Sequence, residues 1–376
     1  MLRALLNKFW DEDLWLPPNT TWEDITPGPD KVVVYSDYRH LLYPIPLAFV
    51  LIVIRNALEK YWYAPFGKSL GIKNTRPKKA PNNPTLEAAY INSPKIKHKQ
   101  LFLSKDKICA LARQLDLSER QVERWWRLRR SQDRPSTLTK FCENAWRCTF
   151  YVFNFSYGFF ILWDKEWLWD IDQCYIGYPH QGLTSDVWWY YMMSAAFYWS
   201  LTLSQFTDVR RKDFWQMFVH HIATITLLSF SWVCNLYRIG TLVLLLHDCG
   251  EIFLDAAKAS KYANYQKLCD VIFAVFTVLW IVTRLGIYPF YIIWSTSIRA
   301  PMLLPMFAAY YFFNSLLCLL LVLHMVWTWL ILQVAYKAIT AGKIEGDIRS
   351  SSSDISDSSH HSNHSTPNRY NSKKDT

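Results

Sequence analysis

Apolar residues along this 376-residue chain gather into runs of a length that soluble helices rarely need. Seven runs stand out: Leu41–Tyr61, Phe141–Trp163, Val187–Phe206, Trp215–Cys234, Ile239–Ala257, Leu268–Trp294 and Leu303–Ala335. Each can cross the ~30 Å of hydrocarbon in a bilayer as an α-helix. The last two exceed one crossing, which predicts tilt or a kink, with Pro289 as the kink point. Between the first two runs the pattern shortens. Ile108, Leu111, Ala112 and Leu115 recur at helical spacing, and Ser118 with Gln121 forms a capping box opening a second helix to Arg130. From Asp347 onward apolar residues nearly vanish, so the Ser-, Asp- and His-rich end is expected to be disordered.

Composition supports this division. The chain is 51% hydrophobic and 17% aromatic, as suits a polytopic membrane protein. The mean hydropathy of −0.02 is an average diluted by polar ends and a basic insert. Met1–Trp15 is interrupted by Lys8, Asp11, Glu12 and Asp13, so no signal peptide is expected and the first span serves as its own insertion signal. The 8 cysteines form no C-x-x-C pair, which argues against a disulfide framework or a zinc site and for free thiols acting as small hydrophobes.

Charge orients the spans. Between Ala64 and Thr139 there are 17 Lys and Arg against 6 Asp and Glu, an excess that accounts for the whole net charge of +10. The loops after the third and fifth spans each hold three basic residues (Arg210, Arg211 and Lys212; Lys258, Lys261 and Lys267), whereas the opposite loops hold only Lys165, Arg238 and Arg299. By the positive-inside rule the N-terminus is lumenal, and the basic insert and C-terminus are cytosolic. Asn19-Thr20-Thr21 is a glycosylation acceptor on the lumenal side. The final Lys373-Lys374-Asp375-Thr376 matches a dilysine signal for retrieval to the endoplasmic reticulum. Ser351, followed by Asp354, would suit an acid-directed kinase, or the tail is a plain solvated spacer. The expected fold is an all-α polytopic membrane protein with about seven transmembrane helices and a small cytosolic helical module. Its parts are a lumenal segment (1–40), a first span (41–61), a cytosolic basic segment (64–134), a six-helix membrane domain (135–337) and a tail (338–376).

The second helix of the basic segment, Ser118 to Arg130, resembles the recognition helix of a homeodomain. The position at which a homeodomain reads adenine with Asn is Leu128 here, so specific DNA binding is not expected. A basic face that meets anionic lipid headgroups, or steers an anionic substrate, is the expectation instead.

The chemistry-bearing residues lie inside the apolar runs. His220 and His221 open the fourth span, about 8 Å from its cytosolic boundary at 1.5 Å per residue. Asp248 and Glu251 lie at a similar depth on the fifth span, and Asp248, Glu251 and Asp255 share one helix face. That acidic face is expected to meet the histidines. Ionisable groups in hydrocarbon cost several kcal/mol each, so they are paired or used. A metal site fits poorly, because adjacent histidines point about 100° apart and His220, His221, His247 and His324 supply too few histidine boxes. General acid–base or nucleophilic acyl transfer fits, as does mutual neutralisation without chemistry. Arg284 either pairs within the bundle or snorkels, and Arg55 with Glu59 reads as an ion pair.

The segment Phe197 to Lys258 resembles the signature of the ceramide synthase (longevity-assurance) family, a branch of the TLC-domain proteins. The matching residues are Phe197-Tyr-Trp-Ser200, Asp208-Val-Arg-Arg-Lys-Asp-Phe214, His220-His221, Gly240-Thr241, Leu246-His247-Asp248 and Lys258. Further matches run from Phe9-Trp10 to Thr283-Arg284-Leu285 and include the homeobox-like insert. The chain departs from the family pattern at Glu251 and Asp255, where Asp and Glu are usual; both keep the charge. The resemblance implies N-acylation of a sphingoid long-chain base by acyl-CoA, a substrate rather than a cofactor, to give ceramide or dihydroceramide.

On this reading His220, His221, Asp248 and Glu251 form the catalytic site and no metal is needed. A histidine held by Asp248 takes the amine proton, and His220 is the preferred covalent candidate. Arg210, Arg211, Lys212 and Lys258 meet the CoA phosphates. The family also links acyl length to the lumenal loop before the last span: Trp294, Ser295, Thr296, Ser297, Ile298, Arg299, Ala300, Pro301, Met302, Leu303, Leu304 and Pro305. A homo- or hetero-dimer is compatible with this picture. The competing readings are a non-enzymatic lipid-binding or translocation-accessory protein and, on the homeobox-like helix alone, a transcriptional regulator. Retention of His220, His221 and Asp248 argues against the first, and Leu128 against the second.

Overall fold

A computed structural model describes residues 8–28, 33–72, 79–92, 105–132, 135–209, 211 and 213–341. Among them there are helices and connecting turns and no strand. Helix α1 (Pro44–Leu58) runs on through a π-wound turn, Glu59–Tyr63, and Ala64–Ser69. Three helices form the basic insert: α2 (Pro84–Ile91), α3 (Lys105–Leu115) and α4 (Glu119–Gln132). The bundle continues with α5 (Thr137–Leu162), α6 (Ser185–Ser204), α7 (Phe214–Val233) and α8 (Tyr237–Tyr262). It closes with α9 (Gln266–Trp280), which passes into a long π-wound stretch, Ile281–Ile293, and α10 (Ala308–Ala341).

Local chemistry sets the boundaries. Ser136 Oγ accepts from the Thr139 N–H at 3.1 Å and starts α5. Asn83 Oδ1 accepts from the Leu86 N–H, with Pro84 in the first turn of α2. The expected capping box is present at α4: Gln121 Oε1 accepts from the Ser118 N–H at 2.8 Å, and Ser118 Oγ from the Gln121 N–H at 3.3 Å. Asn235 and Asn264 adopt positive φ (58° and 63°) in the two turns that fold α7 onto α8 and α8 onto α9.

The seven expected spans correspond in order to α1 and α5–α10. The stretches Tyr38–Ser69, Gln266–Leu303 and Ala308–Thr340 are long and apolar enough to cross a membrane. Helices α5 to α8 are 20 or 26 residues long, about 30–39 Å at 1.5 Å per residue, but carry more polar side chains. The whole is an all-α membrane protein.

Helix α8 packs between α5 and α9, while α6 packs on α1, and α10 lies against α7 and the π-wound stretch. Where α5 meets α6 there is no room for a side chain: a Cβ on Gly158 would lie 2.5 Å from the fully buried ring of Tyr190. We call the end bearing α2–α4 and the turns after α6 and α8 the basic end. At the opposite end Trp15, Leu16 and Ile25 pack on Cys234, Phe307 and Phe313, and Trp15 stacks on Phe230 at 4.7 Å. Ser36 ties the approach to α1 to the α7–α8 turn through the Trp232 carbonyl, 2.6 Å, and Asn235 Oδ1, 3.0 Å. In the insert, Leu86, Ala112, Val122, Trp125 and Trp126 form a small core of their own.

Two expectations are corrected. The stretch from Trp294 to Leu303 is helical, π-wound over Ser295–Arg299 and α over Ala300–Leu303, so it is a continuation of the sixth span and not a loop. Only residues 304–307 are non-helical before α10. The reason lies in Pro289: it has no N–H to donate, yet the wider winding of Ile281–Ile293 carries the chain past it. The first span likewise extends past Tyr61 to Ser69. Ser351 and the rest of the tail from 342 lie outside the described residues.

The Gly158 contact yields a prediction. Gly158→Val forces extra volume against Tyr190, and overpacking of this kind costs about 1–3 kcal/mol. The melting temperature of the detergent-solubilised protein should fall, and an unchanged melt would contradict the close α5–α6 approach.

Candidate active site

Helix α7 turns its two histidines to different neighbours. The His220 ring sits edge-on to Trp327 of α10, centroids 5.3 Å apart, and its Nδ1 is buried with no hydrogen-bond partner. The His221 Nδ1 lies 3.1 Å from Oε1 of Gln205, the residue that caps α6. The two rings are 5.8 Å apart, as the rotation of about 100° between adjacent helical residues requires.

The acidic face of α8 is real, and Glu251 and Asp255 line the same cavity as His220 and His221, though their ion pairs run to cations. Asp248 Oδ2 accepts from Asn154 Nδ2 of α5 at 2.6 Å. Asp255 lies 3.6 Å from Arg147 of α5 and 3.8 Å from Lys258. Glu251 lies 3.8 Å from Arg284, which is 1% exposed. Arg284 also donates to the carbonyls of Leu246 and His247, both at 2.7 Å, and lies over the Trp280 ring. Of the two roles open to it, Arg284 takes pairing within the bundle. The expectation that Asp248 holds a site histidine is therefore corrected. The i, i+3, i+7 spacing puts the carboxylates on one face, whereas the rotation of α8 about its axis decides which helix that face meets, and that rotation follows from packing. Arg55 does pair with Glu59 at 2.7 Å and, in addition, grips Asp208 with two donors at 2.7 and 3.0 Å.

The structure adds a second histidine pair. His247 donates Nδ1–H to the Val243 carbonyl at 2.7 Å, leaving Nε2 to accept from His324 Nε2 of α10 at 3.1 Å. The residue order marked His247 within Leu246-His247-Asp248 but not its pairing with His324, for which the only signal was a lone histidine within an otherwise apolar helix.

Two cavities meet here. One is lined almost wholly by apolar groups such as Leu228, Val243, Leu244, Leu317 and Leu320, and reaches Thr296 and Leu304 at the opposite end. The other opens toward the basic end between Arg147, Arg211, Asp255 and Lys258, and includes His220, His221 and Glu251. Tyr198 and His247 line both.

The remaining sequence-predicted residues divide clearly. Arg211 and Lys258 face the polar cavity, whereas Arg210 and Lys212 lie outside the described residues. Of the 294–305 stretch, Thr296, Ala300 and Leu304 line the apolar cavity. Ser295 is buried against Tyr175, and Arg299 pairs with Asp172. Trp294, Ile298, Met302 and Leu303 point outward. Thr296 and Ser297 both donate to Asn314 Oδ1, at 2.8 and 3.1 Å, and so tie this stretch to α10. Asn19 is exposed.

A helical membrane protein with an apolar cavity leading to buried histidines, and a cationic vestibule beyond them, is built to present an apolar chain to polar chemistry. The model of the TLC domain matches residues 140–333, from α5 through most of α10. Ceramide synthase 5 of Homo sapiens is 43% identical over 349 residues, covering 93% of this chain and 87% of that protein. Ceramide synthase 3 of Homo sapiens is 40% identical, covering 92% and 88%, and ceramide synthase 4 of Homo sapiens 39%, covering 93% and 87%. The chain belongs to the ceramide synthase family of TLC-domain proteins.

Arg284 supplies the test of the geometry. Arg284→Met removes two donors from α8 carbonyls and the cation beside Glu251, and breaking a buried pair of this kind costs about 3–5 kcal/mol. Thermal melting in detergent should drop well below that of the parent, and a variant as stable as the parent would show that the guanidinium is not what holds α8 to α9.

Proposed function

We propose that this acyltransferase moves a fatty acyl group from acyl-CoA to the amine of a sphingoid base, giving ceramide or dihydroceramide. The observation that carries the reading is the junction at Tyr198 and His247, where the apolar cavity meets the polar one beside His220 and His221. An acyl tail fits the apolar cavity, and its thioester then lies at the junction. Arg147, Arg211 and Lys258 sit where the phosphates of CoA would remain in the wide polar mouth. Thr296, Ala300 and Leu304 stand at the far end of the tail's path, so they bear on the chain length accepted. Acyl-CoA enters as a substrate, and the step needs no resident metal or cofactor.

The chemistry follows from which nitrogens are free. His220 Nδ1 has no partner, which supports it as the atom that attacks the thioester carbonyl. The new C–N bond forms as the C–S bond breaks, and the ring proton that the acylated imidazole sheds goes to the CoA thiolate. The neutral amine of the sphingoid base then attacks the acyl carbon. Its proton passes to a histidine nitrogen as the amide forms and His220 is released. Asp248, bonded to Asn154, acts by fixing the α5–α8 contact and by its charge, not by holding a histidine. Glu251 does the same through Arg284. The basic end faces the cytosol and the opposite end, with Asn19, the lumen of the endoplasmic reticulum, by the positive-inside rule.

The test uses purified protein in lipid or detergent with sphinganine and a series of acyl-CoAs. Ceramide should form, His220→Ala and Asp248→Ala should abolish it while leaving the protein folded, and acyl-CoA alone should leave an acyl adduct on His220 visible by mass spectrometry. Ceramide formation by His220→Ala at the parent rate would rule the site assignment out.

A further inference from the structure

Which ring nitrogen of His221 faces the substrate is settled by a residue outside the histidine and carboxylate set. Gln205 ends α6, and its backbone N–H donates to the Leu201 carbonyl at 2.9 Å, which anchors its main chain. Its side-chain Nε2 donates to the Phe214 carbonyl at the start of α7, 2.7 Å away. A carbonyl oxygen can only accept, so the amide nitrogen must be the atom on that side and the amide oxygen the atom on the other. The oxygen is the one 3.1 Å from His221 Nδ1. It too can only accept, so Nδ1 carries the ring hydrogen and Nε2 keeps its lone pair. His221 is 5% exposed, it lines the polar cavity, and among the described residues its Nε2 makes no hydrogen bond.

We propose that Gln205 is the positioning residue of the site: held by Phe214, it locks His221 in the Nδ1–H form so that the Nε2 lone pair faces the cavity and takes the proton of the attacking amine. This inference rests on the acyl-transfer reading. The amide does for His221 what a carboxylate does for the histidine of a hydrolase triad, with one difference. It fixes tautomer and ring direction without adding a charge to a site that already holds Asp248, Glu251 and Asp255 on one side and Arg147 and Arg284 on the other. It also divides the two histidines. His220, with an unpartnered Nδ1, is left for the covalent step, and His221 for the proton. The geometry explains why the base does not need Asp248, which is spent on Asn154.

Two measurements test this. Selectively labelled histidine in the intact protein, with His221→Ala used to assign the signal, should give the 13C and 15N shifts of an Nδ1–H imidazole for His221. An Nε2–H signature would overturn the proposal whether or not the protein makes ceramide. In the ceramide assay, Gln205→Leu removes both hydrogen bonds at nearly constant volume. It should lower kcat roughly 100-fold, the lower end of what a positioned base contributes, with KM for both substrates within about threefold. Gln205→Glu keeps an acceptor toward Nδ1 but sets a second oxygen against the Phe214 carbonyl, so it should recover only part of that loss. A Gln205→Leu enzyme with parental kcat, or one altered only in KM, would overturn the proposal. Absence of ceramide from the parent protein would instead count against the acyl-transfer reading itself.

Discussion

Everything in this bundle depends on α8 satisfying its own charges. A helix that carries Asp248, Glu251 and Asp255 through an apolar interior is stable only if each carboxylate finds a partner there. Each does: an amide from Asn154, a guanidinium from Arg284, and the cations of Arg147 and Lys258. Asn154 and Arg147 sit on α5 and Arg284 in the π-wound stretch that continues α9, with Lys258 on α8 itself, so the pairing ties α8 to both neighbours and helps fix its rotation. Arg284 does more than neutralise. Its two bonds to the Leu246 and His247 carbonyls grip the turn of helix from which His247 and Asp248 project.

With the carboxylates paired to an amide and to cations, the histidines of α7 are left to other contacts. They face a boundary between two kinds of space, an apolar cavity walled by leucine and valine and a polar one walled by cations and carboxylates. A substrate with a long tail and a polyanionic head is sorted by that division without any specific recognition. Burial of methylenes favours one direction, at about 25 cal/mol per Å² of apolar surface, and charge favours the other. The reacting bond is then placed by exclusion at Tyr198 and His247, where the two meet.

The histidine pairs differ in how tightly they are held. His247 is engaged at both ring nitrogens, with the Val243 carbonyl and with His324, and both rings pack edge-on to Tyr288, while His324 Nδ1 is buried without a hydrogen-bond partner. His221 is held on one side only, and His220 Nδ1 not at all. Buried polar atoms are nearly always satisfied, so an atom left without a partner beside a cavity marks a place where a ligand supplies the missing contact.

Much of this was legible in the residue order. Apolar runs of about twenty residues can persist only as helices in hydrocarbon, so the seven long helices follow from local pattern, as do the capping box at Ser118 and the Arg55–Glu59 pair one helical turn apart. The histidine pair and the shared acidic face were equally plain, because helical periodicity alone places them. What periodicity cannot say is which neighbour a face meets. The carboxylates took partners on α5 and in the π-wound stretch after α9, and His221 took Gln205 as its partner, sixteen residues away across a turn. His324, 77 residues from His247 along the chain, joined the site only by folding. The stretch from 294 to 303 stayed helical despite Pro289 and Pro301, because Pro289 sits within a wider winding and Pro301 in the first turn of Ala300–Leu303, where its missing N–H costs least. The sequence by itself determined which residues each helix must hide from lipid, since hydropathy and 3.6-residue spacing are local. Only the tertiary structure decided which partners satisfy them, since helix rotation is set by the packing of all seven against one another.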